Sequence, residues 1–400
     1  MSIAPPSMRY AVLALLSCQQ YLAVAFLYAA VPAVLRQQGA PLPLIGLFGL
    51  VFLAFTVNFL WAPLVDRHRL TPLGRRRSWI LLMQALAAAV TAAAAFLDPA
   101  RQIPALLAAS LALATIAATQ RIATLGYAAD SLAPAQRATG AAVMGWGMSV
   151  GNAIGGAAGL YLIEAFGWRA ALLSGAALMV LLAGLAPALP EPAAGPPPRR
   201  AARGAWRQPG MWRTIVIIWP ATFGVALAFP MAAPWLVDLG LPLSQVGLVI
   251  AAATVLAFTS AGPLAGLGLR RLPASHAVLA SALVLTPPFG LLAAVEGLLA
   301  PGTWTLLSVF AIFSALAVQN VAFNTYFYSL ARPGQAATDV TFLAAMMSVA
   351  AMAGFGASGF VAKAWGYGAT LGAAAAGYAV TALLAWRLAR PATEASRDAR

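Results

Sequence analysis

Charge is what this chain has least of. Of its 400 residues only 8% are Asp, Glu, Lys or Arg, against 62% hydrophobic, with a mean hydropathy of +0.84. So little polar material cannot cover a soluble body of this size, which places the chain in a bilayer. A single cysteine, Cys18, lies in an apolar run and excludes a disulfide scaffold, a thiolate zinc site and a CxxC redox pair. The two histidines, His68 and His276, fall in or beside loops, and no two acids share a helix face at membrane depth. General acid–base chemistry therefore has no constellation, and no metal or cofactor is called for. An intramembrane enzyme is the minor alternative, resting on Asp66 and Asp130 alone. No Walker-type phosphate loop occurs, so ATP is not a direct energy source. The first apolar run follows Arg9 and continues past Tyr28, too long for a signal-peptide core, and is read as a span.

What is abundant is long apolar runs. A hydrocarbon layer of roughly 30 Å needs about 20 residues of helix. Division at charges and turn signals gives twelve spans, near residues 10–33, 43–64, 79–97, 103–129, 139–163, 169–188, 213–236, 243–268, 276–298, 303–330, 340–362 and 366–388. An even count puts both termini on one side, and that side receives nineteen of the 24 basic residues. The other side receives Arg36, Arg101, Arg169 and Lys363, and Arg121 stands apart. Basic residues near span ends resist translocation, so both termini are expected in the cytoplasm. The net charge of +14 is then a topological signal and calls for no nucleic-acid partner.

Residues 189–212, rich in Pro and Arg, read as a cytoplasmic linker between an N-terminal six-helix bundle over 1–188 and a C-terminal one over 213–390, with a cytoplasmic tail over 391–400. The halves repeat. Gly39-Ala40-Pro41-Leu42 recurs as Gly240-Leu241-Pro242-Leu243, and Ala62-Pro63-Leu64 as Gly262-Pro263-Leu264. Gln120-Arg121-Ile122-Ala123 recurs as Gln319-Asn320-Val321-Ala322, and Met148-Ser149-Val150 as Met347-Ser348-Val349, both at an offset of 199. Span count, linker and repeat together give an all-α integral membrane fold of twelve helices in two pseudo-symmetric bundles, which resembles the major facilitator fold with its site at the midplane.

The segment Phe59-Leu60-Trp61-Ala62-Pro63-Leu64-Val65-Asp66-Arg67 through Leu73-Gly74-Arg75-Arg76-Arg77-Ser78-Trp79 is the strongest local signal. It is either a solvated positive-inside loop or a gate, in which Asp66 partners an arginine or a neighbouring helix N-terminus and Arg67, Gly74, Arg75, Arg76 and Arg77 complete the latch. The segment resembles the major facilitator signature, in the form found in the branch of muropeptide permeases of the AmpG type. Residues 31–42, Val-Pro-Ala-Val-Leu-Arg-Gln-Gln-Gly-Ala-Pro-Leu, and the short length are more similar to single-component siderophore permeases of the rhizobactin and pyochelin type. That resemblance implies import across a bacterial inner membrane. Where those relatives carry acids on span four this chain has Arg121 and Leu125, and Asn58 replaces a lysine, so a coupling role does not carry over.

Arg121 lies nine residues before Asp130, about 13 Å along a helix, well inside the membrane. It is either a structural arginine snorkelling toward Asp130 or a cavity residue meeting an anionic solute, and the second is preferred. Gln19, Gln20, Gln120, Gln319, Asn320, Asn324 and Tyr328 are its expected company at a substrate site, since spans one, four, seven and ten line the cavity in the fold this resembles. Each amide taken singly is equally well interhelical packing glue. Gly147, Gly151, Gly155 and Gly159 form a packing stripe, and Pro220 and Pro287-Pro288 are candidate kinks. The function expected is secondary active uptake of an organic, anionic solute by alternating access, as proton symport and as a monomer. Ferric siderophore is the first reading and muropeptide the second. A transporter-like receptor that binds without moving solute is the rival class.

Overall fold

The computed structural model describes residues 6–72, 74–132, 136–184, 210–269, 271–296, 298–330 and 336–389. Among these, all regular structure is helical, as it must be where hydrocarbon offers the backbone no hydrogen-bond partner. Nine helical runs among the described residues are long and apolar enough to cross a bilayer, and a shorter one, Leu42–Val57, is continued by Ala62–Arg67. Two of the nine are each two helices joined across a kink. Gly167 (φ 82°, ψ 168°) divides Val143–Ala183, and Gly366 (φ 83°, ψ 174°) divides Phe342–Arg387, at equivalent points of the repeat.

Divided at these two glycines, and with the shorter helix counted, the described residues supply twelve candidate crossings. Span one is Met8–Gln37, span two begins at Leu42, span three is Arg75–Ala94 and span four is Ile103–Ala128. Spans five and six share Val143–Ala183; seven to ten are Met211–Asp238, Leu243–Leu269, His276–Ala294 and Pro301–Leu330; eleven and twelve share Phe342–Arg387. The linker expected over 189–212, save 210–212, and the tail over 391–400 lie outside the described residues.

The chain forms two compact units. The first comprises Met1–Ala40, Leu50–Pro198 and Gly240–Ala251; the second comprises Pro41–Gly49, Arg199–Leu239 and Ala252–Arg400. Within the first, glycines of span five lie on the backbone of span one. A Cβ on Gly147, Gly151 or Gly155 would stand 2.1, 2.2 and 2.2 Å from the carbonyl oxygens of Ala14, Cys18 and Leu22. Both rows advance four residues at a time, so the two helices mesh turn for turn. Lipid tails supply no hydrophobic drive for helix association, and such backbone contact replaces it. The fourth glycine, Gly159, departs from the pattern, with nothing nearer than 3.7 Å to its absent Cβ.

The second unit uses the same device between spans seven and twelve, where a Cβ on Gly377 would lie 2.2 Å from the Pro220 carbonyl oxygen. Beside Pro220 the Thr381 hydroxyl enters span seven's backbone. It accepts from the Ala221 N–H at 3.0 Å and donates to the Ile217 carbonyl at 2.9 Å. This insertion is a recognised cause of helix bending. The first turn of span two also belongs to this unit: a Cβ on Gly359 would meet the Leu42 carbonyl oxygen, and one on Gly46 would lie 2.9 Å from Gly359 N. The repeat-equivalent turn, at the start of span eight, packs in the first unit, with Gly247 against Ala157 and the Ser244 N–H donating to Glu164 Oε2 at 2.7 Å.

Thermal unfolding of purified protein checks the span five contact. Gly151→Ala is expected to lower stability by about 1–3 kcal/mol through overpacking. Gly145→Ala, where a Cβ meets nothing within 4 Å, is expected to be neutral or to stabilise by up to about 1 kcal/mol through helix propensity.

Candidate functional site

The arginine-rich loop is tied into the end of span four. Gly74 begins span three with φ 126° and ψ 165°, a conformation that glycine alone adopts at ease, and this turns Arg75 and Arg76 toward the neighbouring helix. Arg76 Nε donates to Asp130 Oδ2 at 2.9 Å and an Arg75 amino group reaches the same oxygen at 3.3 Å. The Arg76 guanidinium lies on Gly126, where a Cβ would stand 2.3 Å from its central carbon. Arg9 donates to the Ser131 carbonyl at 2.6 Å. Three cations thus gather at the carbonyl-rich C-terminal end of span four, where the helix dipole favours positive charge.

The loop itself is strapped down by Trp79, whose indole N–H donates to the His68 carbonyl at 2.9 Å, and by Ser78 Oγ, which accepts from the Leu70 N–H at 3.3 Å. The side chains of Asp66 and Arg67, named as latch residues, lie outside the described set, and Arg77 is half-buried. Asp130 is the acid that Arg75 and Arg76 meet, and sequence reasoning did not give it that role. The only hint was its position at the end of span four, because the pairing crosses 54 residues of chain. Arg121 makes no contact with it: this guanidinium is exposed, with no ion pair or hydrogen bond among the described residues.

Inside the first unit the amides form a layer between two apolar clusters. Leu13, Leu16, Ile80, Met83, Ala123 and Tyr127 pack on one side of it, and Leu22, Ala23, Ala87, Ala88, Ala114 and Ala118 on the other. Gln19, Gln20, Gln84 and Gln120 fall between, all nearly inaccessible. Gln120 Nε2 donates to Gln19 Oε1 at 3.1 Å, and the Trp61 indole donates to Thr119 Oγ1 at 3.0 Å. Gln20 Nε2, Gln84 Oε1 and Thr124 Oγ1 are buried without a protein partner. Gln84 was not singled out from sequence, since a lone amide in an alanine-rich span carries no periodic signal.

In the second unit Gln319, the repeat equivalent of Gln120, is also interior. It accepts from the Tyr378 hydroxyl at 2.7 Å and donates to Thr222 Oγ1 at 3.3 Å. Tyr378 is itself buried and stacked on Phe289, ring centroids 5.8 Å apart. The neighbouring residues turn the other way. Asn320 is exposed, Asn324 half-buried and Tyr328 66% exposed, with Asn324 Nδ2 donating to the Asn320 carbonyl at 2.7 Å. The eight proposed substrate contacts therefore divide into a buried set (Gln19, Gln20, Gln120, Gln319) and a reachable set (Arg121, Asn320, Asn324, Tyr328). Among the described residues no group of His, Cys, Asp or Glu could hold a metal ion.

Comparison with known proteins extends this picture. Residues 13–338 match the Major Facilitator Superfamily. The chain belongs to this family. It is 28% identical over 369 residues to the anhydromuropeptide permease of Escherichia coli (strain K12), covering 85% of this chain and 72% of that protein. Among solved structures, a bacterial homolog of the human lysosomal transporter Spinster, inward-facing and unoccupied, superposes with a TM-score of 0.70 at 17% identity, covering 96% of this chain and 95% of that one. A D-xylose–proton symporter gives 0.72 at 13% identity, with 94% and 96% covered. These structures share the fold. The protein is thus a multi-pass secondary transporter of the major facilitator type and not an enzyme.

The ion pair at span four can be measured directly. Asp130→Asn leaves the 8%-exposed Arg76 side chain without its counter-charge, and a loss of about 1–3 kcal/mol is expected in thermal unfolding. A double-mutant cycle with Arg76→Leu should return a coupling of at least about 0.5 kcal/mol. Additive effects would mean that the pair contributes nothing.

Proposed function

We propose that this chain carries a muropeptide-class solute, a sugar joined to a short carboxylate-bearing peptide, inward across a bacterial inner membrane by alternating access. The similarity to the anhydromuropeptide permease, spread over 85% of the chain, carries this reading. It takes precedence over the ferric siderophore expected from residues 31–42, because a likeness over most of the chain supports the muropeptide class, while the siderophore reading rests on that short segment and on the short length of the chain.

The chemistry of the reachable side chains fits such a solute. Arg121 brings a positive charge to membrane depth with no acid paired to it among the described residues, which is costly unless it faces water or an anion. A peptide carboxylate supplies that anion, and guanidinium binds carboxylate through two parallel hydrogen bonds. Asn320, Asn324 and Tyr328 offer donors and acceptors for sugar hydroxyls and peptide amides, with a phenol ring to cover an apolar face. The buried glutamines take a different part. Gln120 and Gln319 tie helices within each bundle, and the solute does not reach them.

Import is assigned to the proton gradient, with both termini cytoplasmic on the strength of the nineteen-to-four division of basic residues. The chain works as a monomer. Uptake of radiolabelled anhydromuropeptide into proteoliposomes, with the gradient imposed and then collapsed by a protonophore, tests the assignment. Accumulation above the external concentration only with the gradient is expected. Saturable binding without accumulation would make the protein a receptor, and no binding would remove the substrate class. Arg121→Gln is expected to weaken equilibrium binding about 10- to 100-fold, the usual loss for one charged contact, with an unchanged melting temperature. Unchanged affinity would take Arg121 out of the site.

A further inference from the structure

The first unit contains a cavity of about 220 Å³ that the transport reading does not use. Its walls come from Leu22, Ala23 and Phe26 of span one, Thr91 of span three, Leu113 of span four, and residues 154–163 and 171–179 of spans five and six. Ala153–Ala158, on its wall, is a π-helical turn, a rare feature associated with functional sites. Leu113 is ten residues from the start of span four, about 15 Å along the helix and so at the centre of the hydrocarbon layer.

Two properties identify what fills the space. Its two polar wall residues are already engaged, Thr91 Oγ1 with Met179 Sδ at 3.7 Å and Ser174 Oγ with the Ala171 carbonyl at 2.9 Å. With both hydroxyl protons spent, the wall offers no free side-chain donor and only two hydroxyl lone-pair acceptors, short of the two to four polar partners of both kinds that hold a buried water. An apolar cavity of roughly 150 Å³ stays dry and takes up hydrocarbon, and this one is larger. The second property is that glycines keep it open. A Cβ on Gly175 would meet nothing within 4 Å, and one on Gly159 nothing nearer than 3.7 Å. Neither glycine is demanded by helix packing, in contrast to Gly147, Gly151 and Gly155, although alanine is the better helix former.

The mouth lies between spans five and six, where Ala158 and Ser174 are exposed. It is flanked by the outward-facing Tyr161, Val180 and Leu181, which are 57%, 60% and 67% exposed. For a transmembrane helix pair, an apolar exposed flank at this depth is the face that meets lipid tails.

We propose that this cavity is a binding site for one acyl chain of a membrane phospholipid, which enters between spans five and six and completes the packing around span one. A phosphatidylethanolamine carrying a diazirine at mid-chain, photolysed in nanodiscs with the full-length protein, tests it by peptide mapping. Label is expected on residues 154–163 and 171–179. Gly175→Leu, which fills the space with protein carbon, is expected to reduce that label about tenfold, the effect of displacing roughly two methylenes, and to raise the melting temperature in delipidated detergent. Should that variant not fold, Gly175→Ala and Gly159→Ala, for which room exists, must lower the label stepwise. Label confined to peptides elsewhere, or equal labelling of wild type and folded variants, would overturn the proposal. Competition by free fatty acid but not by phospholipid would do the same.

Discussion

The fold rests on backbone approaching backbone. In hydrocarbon an apolar side chain gains nothing by leaving lipid for protein, so helices must hold one another through dispersion and polar contacts at short range. Spans one and five achieve this by placing glycines at 147, 151 and 155 against carbonyls at 14, 18 and 22. Each contact is small, but the rows match in spacing, so no single turn can shift without disturbing the next. Spans seven and twelve repeat the arrangement through Gly224 and Gly377. Polar atoms inside the bundles supply direction rather than bulk attraction, as Gln120 with Gln19 and Gln319 with Tyr378 illustrate.

Much of this was legible in the chain itself. Span count, bundle architecture and the turns near 167 and 366 follow from apolar length and from the repeat, because a bilayer allows few alternatives. The span five stripe was readable because glycine every fourth residue has few other meanings in a membrane helix. Depth was readable as well, since distance from a charged end converts directly into ångströms.

Direction was not readable. Spans four and ten are apolar around their whole girth, so no amphipathic face separates the side of Gln120 from that of Arg121, and adjacent residues were grouped that the helix points apart. The Arg76–Asp130 pair was missed for a related reason: in sequence the acid beside the five arginines is Asp66, whereas Asp130 lies 54 residues from Arg76 and is brought to it only by the path of span three past Gly126. Thr381 likewise has no local signature, because its role is to replace a hydrogen bond in a helix 160 residues away.

The first turns of spans two and eight are on loan between the halves of the sequence. Pro41–Gly49 completes the second unit and Gly240–Ala251 the first, so neither unit is assembled from its own half of the chain. Removing either turn would strip cover from main chain near Gly359 or Ala157, so damage to one half is felt in the unit built mostly from the other. The two loans differ in chemistry: position 164, which receives the Ser244 N–H, is Glu, while its counterpart, position 363, is Lys.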